Sequence, residues 1–158
     1  MDIGVGLDAN LNLSLDEQAQ LSEEAARLGY TSIWTPEGTG QDSFQLCGHR
    51  WEASRKVAPE GMATGIAVSP VMYRTPMAFA MSGGTLSQRT GGKFFMGIGT
   101  GSAYRPRSRR ALGLKKFSAL AVMMDYLRTI RQLVAGESVV YVGEVVTLQG
   151  ARLAINPA

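Results

Sequence analysis

Residues 61–102 constrain the fold of this chain more than any other stretch, because they read as strand, helix, strand with a crossover of helix length. Residues 62–69 are small and apolar without polar alternation, the pattern of a strand covered on both faces by helices. Thr75 and Pro76 then supply an N-cap and a first-turn proline. Met77, Ala80, Met81, Gly84 and Leu86 recur along one helical face, and Gly91 and Gly92 end the helix. Residues 93–98 form the next strand, which runs into Gly97, Gly99 and Gly101, where backbone can come close to a bound molecule. Two strands joined this way pair in parallel with a right-handed crossover.

The same unit recurs along the chain. Residues 3–7 have strand length, and Ser14 with Glu17 has capping-box spacing ahead of a helix on which Leu15, Ala19, Leu21, Ala25 and Leu28 share a side. Residues 30–35 are aromatic and β-branched, a second strand halted by Pro36, and the polar loop EGTGQD follows its carboxyl end. A helix over residues 43–56 is expected, interrupted by Gly48 and Pro59. After Ser102, the run AYRPRSRRALGLKKFS carries too much charge, Gly and Pro for a packed element and reads as a long functional loop. From Leu120, Val122, Met123, Tyr126, Leu127, Ile130, Leu133 and Val134 define an amphipathic helix. Residues 139–142 and 145–148 form a hairpin around a two-residue turn at Gly143 and Glu144. Four βα units without a phosphate-binding fingerprint on the first turn point to a (β/α) barrel rather than a doubly wound sheet.

Composition narrows the function classes. At 158 residues the chain is expected to form one domain, and its net charge of +3 is mild. Arg105, Arg107, Arg109 and Arg110 form the one basic cluster, read either as a solvated loop or as a contact for an anionic ligand. No aromatic interleaving accompanies them, which argues against nucleic acid. The single cysteine, Cys47, excludes an internal disulfide, and no apolar run reaches membrane-spanning length, so a cytoplasmic protein without a membrane partner is expected. No cluster has metal-ligand spacing. Glu37, at the end of the second strand, is the best acid/base candidate, the alternative being a capping or ion-pairing role. The lone histidine, His49, either serves the substrate side or packs structurally.

The segments IWTPEGTGQDSF, TGIAVSP, RTPMAFAMSGGTLSQRTGGKFFMGIGTGS and MMDYLRTIRQLVAGESVVYVGEVVTL together resemble the bacterial luciferase-like monooxygenase superfamily, and within it the deazaflavin F420-dependent oxidoreductases. The resemblance implies a TIM barrel of (β/α)8 type with the redox ring against the carboxyl ends of the strands, here an incomplete barrel of about four βα units plus a β-hairpin. It implies coenzyme F420, with FMN as the alternative, held by Thr64, Gly65, Ile66 and Ala67 on strand three and by Gly97, Gly99, Thr100, Gly101 and Ser102 after strand four. A non-proline cis peptide backs the ring in F420 members, and the matching bond here joins Gly65 to Ile66. Where luciferases carry a histidine after the strand-two glutamate, this chain has Gly38.

The implied activity is F420-dependent hydride transfer to or from a small organic substrate. The alternatives are FMN-dependent monooxygenation and a non-catalytic, flavin-binding half-barrel. Because a complete barrel takes about 250 residues, the chain is expected to be the N-terminal half of one, truncated. Its open sheet edge makes a homodimer the expected assembly.

Overall fold

A computed structural model describes residues 2–154. The chain packs as two compact units, one of Met1–Ser69 with Leu86–Gly97 and one of Pro70–Thr85 with Ile98–Ala158. Among the described residues no helix is long and apolar enough to cross a membrane.

The first unit is built on a four-stranded sheet in the order β1 (Gly4–Gly6), β2 (Ser32–Pro36), β3 (Ala63–Pro70), β4 (Phe94–Gly99). β1 pairs β2 and β2 pairs β3 in parallel, and the Thr64 amide donates to the Lys93 carbonyl at 2.8 Å where β4 begins. Each strand starts or ends within two residues of its expected limit. Ile33, Thr35, Thr64 and Ile66 are buried on one face of the sheet. Leu7, Ala25, Ile33 and Met62 form a core cluster of this unit, with Val5, Leu13 and Tyr30 packed against it.

Helix α1 (Leu15–Arg27) begins at the expected capping box: Ser14 Oγ accepts from the Glu17 amide at 3.2 Å and Glu17 Oε2 accepts from the Ser14 amide at 2.8 Å. Its buried face keeps Ala25 of the expected set and departs from it elsewhere. Leu15, Leu21 and Leu28 are exposed, and Gln18, Ser22 and Ala25 face inward. The cause lies on α2 (Ser43–Ser54), whose Arg50 is 1% exposed and donates from Nε at 2.9 Å and from a terminal nitrogen at 2.6 Å to Gln18 Oε1. A buried guanidinium needs acceptors, so the polar side of α1 turns toward it. Gly48 does not interrupt α2. A Cβ there would stand 3.3 Å from Leu86 Cδ2, so the glycine lets a neighbour pack close.

In the second unit, α5 (Ala119–Val134) buries Val122, Tyr126, Ile130 and Leu133 as the spacing predicts, while Leu127 is exposed. Helix α3 (Pro76–Thr90) opens as expected, with Thr75 Oγ1 accepting from the Ala78 amide at 3.2 Å, and contributes its turns up to Thr85 to this unit. Phe79 rather than Met81 carries its packing, edge-on to Tyr126 at 6.3 Å. Ala80, Leu133, Val139 and Leu153 complete the core here. The arginine run is not a bare loop: a 3₁₀ turn at Ser102–Tyr104 leads into a short helix, α4 (Pro106–Ala111). Pro106 at the first helical position makes the turn possible, because its missing N–H would be unsatisfied there in any case.

The hairpin pairs β5 (Val139–Val142) with β6 (Thr147–Ala151), antiparallel, and its turn is longer than expected. Gly143 donates to the Val146 carbonyl at 2.8 Å, and the chain re-enters the ladder only at Thr147. The reason is Asp125 of α5. Its Oδ2 accepts from the Val145 amide at 2.7 Å and the Val146 amide at 3.0 Å, drawing both out of the ladder, and its Oδ1 accepts from Tyr141 Oη at 2.7 Å.

Candidate functional site

The sheet face opposite Ile33 and Ile66 belongs to Trp34. In register Trp34 sits between Gly6 of β1 and Gly65 of β3, so neither neighbour crowds its indole. A Cβ on Gly65 would overlap the six-membered ring, and one on Gly4 would stand 3.0 Å from the indole nitrogen, which donates to Ser32 Oγ at 2.9 Å. Phe95 of β4 lies beside it, ring centroids 5.5 Å apart and planes inclined 31°, and is 52% exposed. The strands therefore present a shelf of aromatic surface on this face, formed by the half-buried Trp34 and the exposed Phe95.

At the carboxyl end of β3 the register slips. Thr35 faces Ile66 but Pro36 faces Val68, which leaves Ala67 as the extra residue of a bulge, and Ala67 and Val68 are both exposed. Gly97 of β4 meets this bulge directly: a Cβ there would overlap the carbonyl oxygens of Ile66 and Ala67. The tips of β3 and β4 thus converge as backbone on backbone, which only glycine permits. No cis peptide occurs among the described residues. The Gly65–Ile66 bond is trans, correcting the expectation of a cis bond there. The irregularity sits one residue later, and Gly65 lacks a side chain because Trp34 fills its place.

Glu37 follows β2 at this end. Its amide donates to the Val68 carbonyl at 2.9 Å, Oε1 accepts from the Ser43 amide at 3.3 Å, and Oε2 accepts from the buried Ser69 hydroxyl. Glu37 therefore closes the first turn of α2 from outside, beside the N-cap Asp42, whose Oδ1 accepts from the Gln45 amide at 3.0 Å. A half-buried carboxylate held by an amide and a hydroxyl is positioned rather than free, next to the β3 bulge.

The other expected site residues divide. Thr64 and Ile66 are fully buried on the helix side, so only their backbone is available to a ligand on the Trp34 face. The Thr64 hydroxyl lies beside Cys47 of α2, and burial pushes that thiol up to about 11, against the pull of Thr64 and Arg50. Burial likewise lowers the Arg50 pKa. His49 is placed elsewhere: its Nε2 is 2.8 Å from the Leu15 carbonyl, a link between α2 and α1. In the second unit Gly99 and Thr100 are half-buried and Gly101 and Ser102 exposed, with Gly101 at φ +54° and Pro70 Cγ 2.7 Å from where its Cβ would be. Among the described residues no cluster of His, Cys, Asp or Glu could hold a metal ion. Trp34, Phe95 and Ser69 are the site residues that sequence reading passed over. The signal was present in part, since an alternating SIWTP strand places Trp34 on the face opposite Ile33.

Residues 2–158 match the family model described as luciferase-like monooxygenase. The chain belongs to that family. It is 28% identical over 152 residues to 4-hydroxyprotoasukamycin monooxygenase of Streptomyces nodosus subsp. asukaensis, covering 92% of this chain and 39% of that protein. It is 30% identical over 93 residues to 5,10-methylenetetrahydromethanopterin reductase of Archaeoglobus fulgidus, covering 59% of this chain and 27% of that one. Among solved structures, coenzyme F420-dependent tetrahydromethanopterin reductase from Methanopyrus kandleri superposes with a TM-score of 0.79 at 16% identity, over 96% of this chain and 45% of that one. The oxygenating constituent of 3,6-diketocamphane monooxygenase from Pseudomonas putida, in complex with FMN, superposes at 0.75 and 17% identity, over 93% and 43%. The parallel four-stranded α/β architecture of this luciferase-like chain is therefore that of a partial TIM-type barrel, and it spans less than half the length of these relatives.

Proposed function

We propose that this luciferase-like chain takes part in F420-dependent hydride transfer to or from a small organic substrate. One observation carries the reading. A glycine-lined convergence of the β3 and β4 tips, at Gly97 and the Ala67 bulge, lies on the sheet that bears the aromatic shelf of half-buried Trp34 and exposed Phe95. A flat heterocycle fits such a place, because backbone can approach one face of it and aromatic surface can exclude water beside it. The bound deazaflavin would supply the hydride. The chain's own part is to orient the ring and keep it dry, and to hold a proton acceptor at the Glu37 carboxylate, fixed by Ser69 and the Ser43 amide. FMN-dependent monooxygenation is the second reading, supported by a relative that is a monooxygenase and by a solved monooxygenase in complex with FMN. A homodimer is proposed as the assembly.

Titration of the chain with F420 and with FMN, followed by Trp fluorescence, tests the reading, since a ring seated on the shelf quenches Trp34. Quenching by F420 that is lost in Gly97→Ala, with turnover of reduced F420 but not of reduced FMN, is the expected result. Turnover with FMN alone transfers the assignment to the second reading, and quenching by neither removes both. Glu37→Gln should lower turnover and remove its acid limb, and an unchanged pH profile would exclude Glu37 as proton carrier.

A further inference from the structure

We propose that the outward face of α1 is an interface that receives the basic segment 105–116 of a second copy of this chain. None of these residues is among those placed around the ring, so the interface is independent of the redox reading.

Helix α1 is inside out by the ordinary rule for a helix on a domain surface. Satisfying the Arg50 guanidinium turns Gln18 and Ser22 inward, and the leucines are left outside. Glu17, Leu21, Glu24 and the C-cap residue Leu28 follow one another at four, three and four residues, so acid and leucine alternate along one exposed stripe. An open groove of about 570 Å³ lies on this face, lined by Leu13, Leu21, Glu17, Glu23 and Glu24, with Arg27 the cation in its wall. Single exposed leucines are ordinary, whereas a groove built on several marks a contact surface.

Charge chooses the occupant. The first 26 residues hold six of the chain's thirteen Asp and Glu and no Lys or Arg, and the stretch RPRSRRALGLKK holds six of the sixteen Lys and Arg and no acid. On α1, Lys56 meets Glu23 at 2.6 Å and Arg27 meets Glu24, which leaves Asp16 and Glu17 without a cation among the described residues. None of the six cations of 105–116 forms an ion pair among the described residues either. Arg105, Arg107, Arg110, Lys115 and Lys116 are exposed, and Leu112 is exposed in their midst. The segment is also held in shape. The Arg109 amide donates to the Arg105 carbonyl at 2.9 Å, the Leu114 amide donates to the Arg109 carbonyl at 2.9 Å, and Gly113 at φ +66° makes that return. One copy thus offers a leucine among cations, and the other a leucine groove among carboxylates. Exposed charge pairs contribute little affinity but select the partner and its register, while burial of the leucines supplies the attraction. The contact joins two different surfaces, so it is heterologous.

The test is sedimentation velocity on the 158-residue chain. Self-association should weaken at least about tenfold between about 50 and 500 mM salt. Gln20→Arg with Glu24→Arg makes the α1 face basic, and Arg107→Glu with Arg110→Glu makes the segment acidic. All four positions are exposed, so circular dichroism should show each variant folded. Each variant alone should stay monomeric where the wild type associates, and an equimolar mixture should associate again, because every face then finds the opposite charge on its partner. Leu21→Ser should weaken association at both salt concentrations, since it removes apolar contact rather than charge. A chain that sediments as a monomer up to its solubility limit overturns the proposal. Association indifferent to salt and to both charge reversals overturns it too, and moves the contact to another surface such as the sheet edge. Loss in both variants without recovery on mixing also overturns it, because a matched contact must recover. No cofactor is read in these measurements, so their failure leaves the redox reading untouched.

Discussion

Replacing Asp125 should unlock the hairpin of the second unit, and the structure sets the size of the effect. The carboxylate is 4% exposed and accepts three hydrogen bonds, from Tyr141 Oη at 2.7 Å and from the Val145 and Val146 amides at 2.7 and 3.0 Å. Asp125→Ala strands one buried amide, that of Val146, and two partners that water can partly reach. With hydrogen bonds to a charged group contributing about 1.5–3 kcal/mol each and exposed partners recovering most of theirs, the expected loss is about 3 kcal/mol. Asp125→Asn keeps an oxygen on the two amides and turns its NH₂ toward the Tyr141 oxygen, which can accept. Its loss should be about 1 kcal/mol, the charge assistance alone. Hydrogen exchange at Val146 reads this locally: about 3 kcal/mol corresponds to a roughly hundredfold fall in protection.

The pH dependence gives a second handle on the same residue. Burial by itself would raise the Asp125 pKa, but the Tyr141 hydroxyl, the Val145 and Val146 amides and the Arg128 charge outweigh it and leave the group below its ordinary value. A carboxyl depressed in the folded state stabilises it fully above its unfolded pKa of about 3.9, and that contribution disappears as pH falls through the lower folded value. Wild-type hairpin protection should therefore decline in acid below about pH 4, and Asp125→Asn should flatten the decline. The reasoning is refuted if Asp125→Ala leaves Val146 protection within about threefold of wild type, or if the Asn variant keeps the acid dependence.

Gly97→Ala places a Cβ against two backbone oxygens that have nowhere to move, so a loss of about 1–3 kcal/mol in urea unfolding is expected together with loss of ring binding. Gly40→Ala, where nothing lies within 4 Å, is the control, and equal midpoints for the two variants would show that the β3 and β4 tips are not in contact. Cys47 is fully buried with its thiol pushed up to about 11, so at pH 8 about one molecule in a thousand carries the thiolate, and a thiol reagent should label the native chain only after denaturant is added. Rapid stoichiometric labelling of the native chain would contradict that burial.

What the sequence made legible follows from which interactions are local. Capping at Ser14 and Thr75, the proline starts, the glycine stops and the strand–helix–strand rhythm are all decided within a few residues, and each appears where local chemistry puts it. The errors share another cause, a single polar side chain that recruits partners from far along the chain. Arg50 turns α1 so that Gln18 and not Leu21 faces inward, across 32 residues of sequence. Asp125 lengthens the hairpin turn by claiming two amides 20 and 21 residues away. Periodicity counts apolar residues and is blind to a buried polar group that must be satisfied.

The candidate site shows the same division at finer grain. Its glycines were visible as glycines, but the sequence could not say what each one makes room for, and the answer differs at each position. Gly65 yields its space to Trp34, Gly97 to the carbonyls of the β3 bulge, and Gly101 to Pro70. These glycines are thus spent on the protein's own packing, and the surface they leave for a ligand is the one their absent side chains allow others to build. That shifts the weight of the redox assignment from the glycine motif to the indole beside it. If a flat ring binds this chain, Trp34→Ala should weaken it more than any substitution at Ser102, whose exposed position after β4 makes room for nothing.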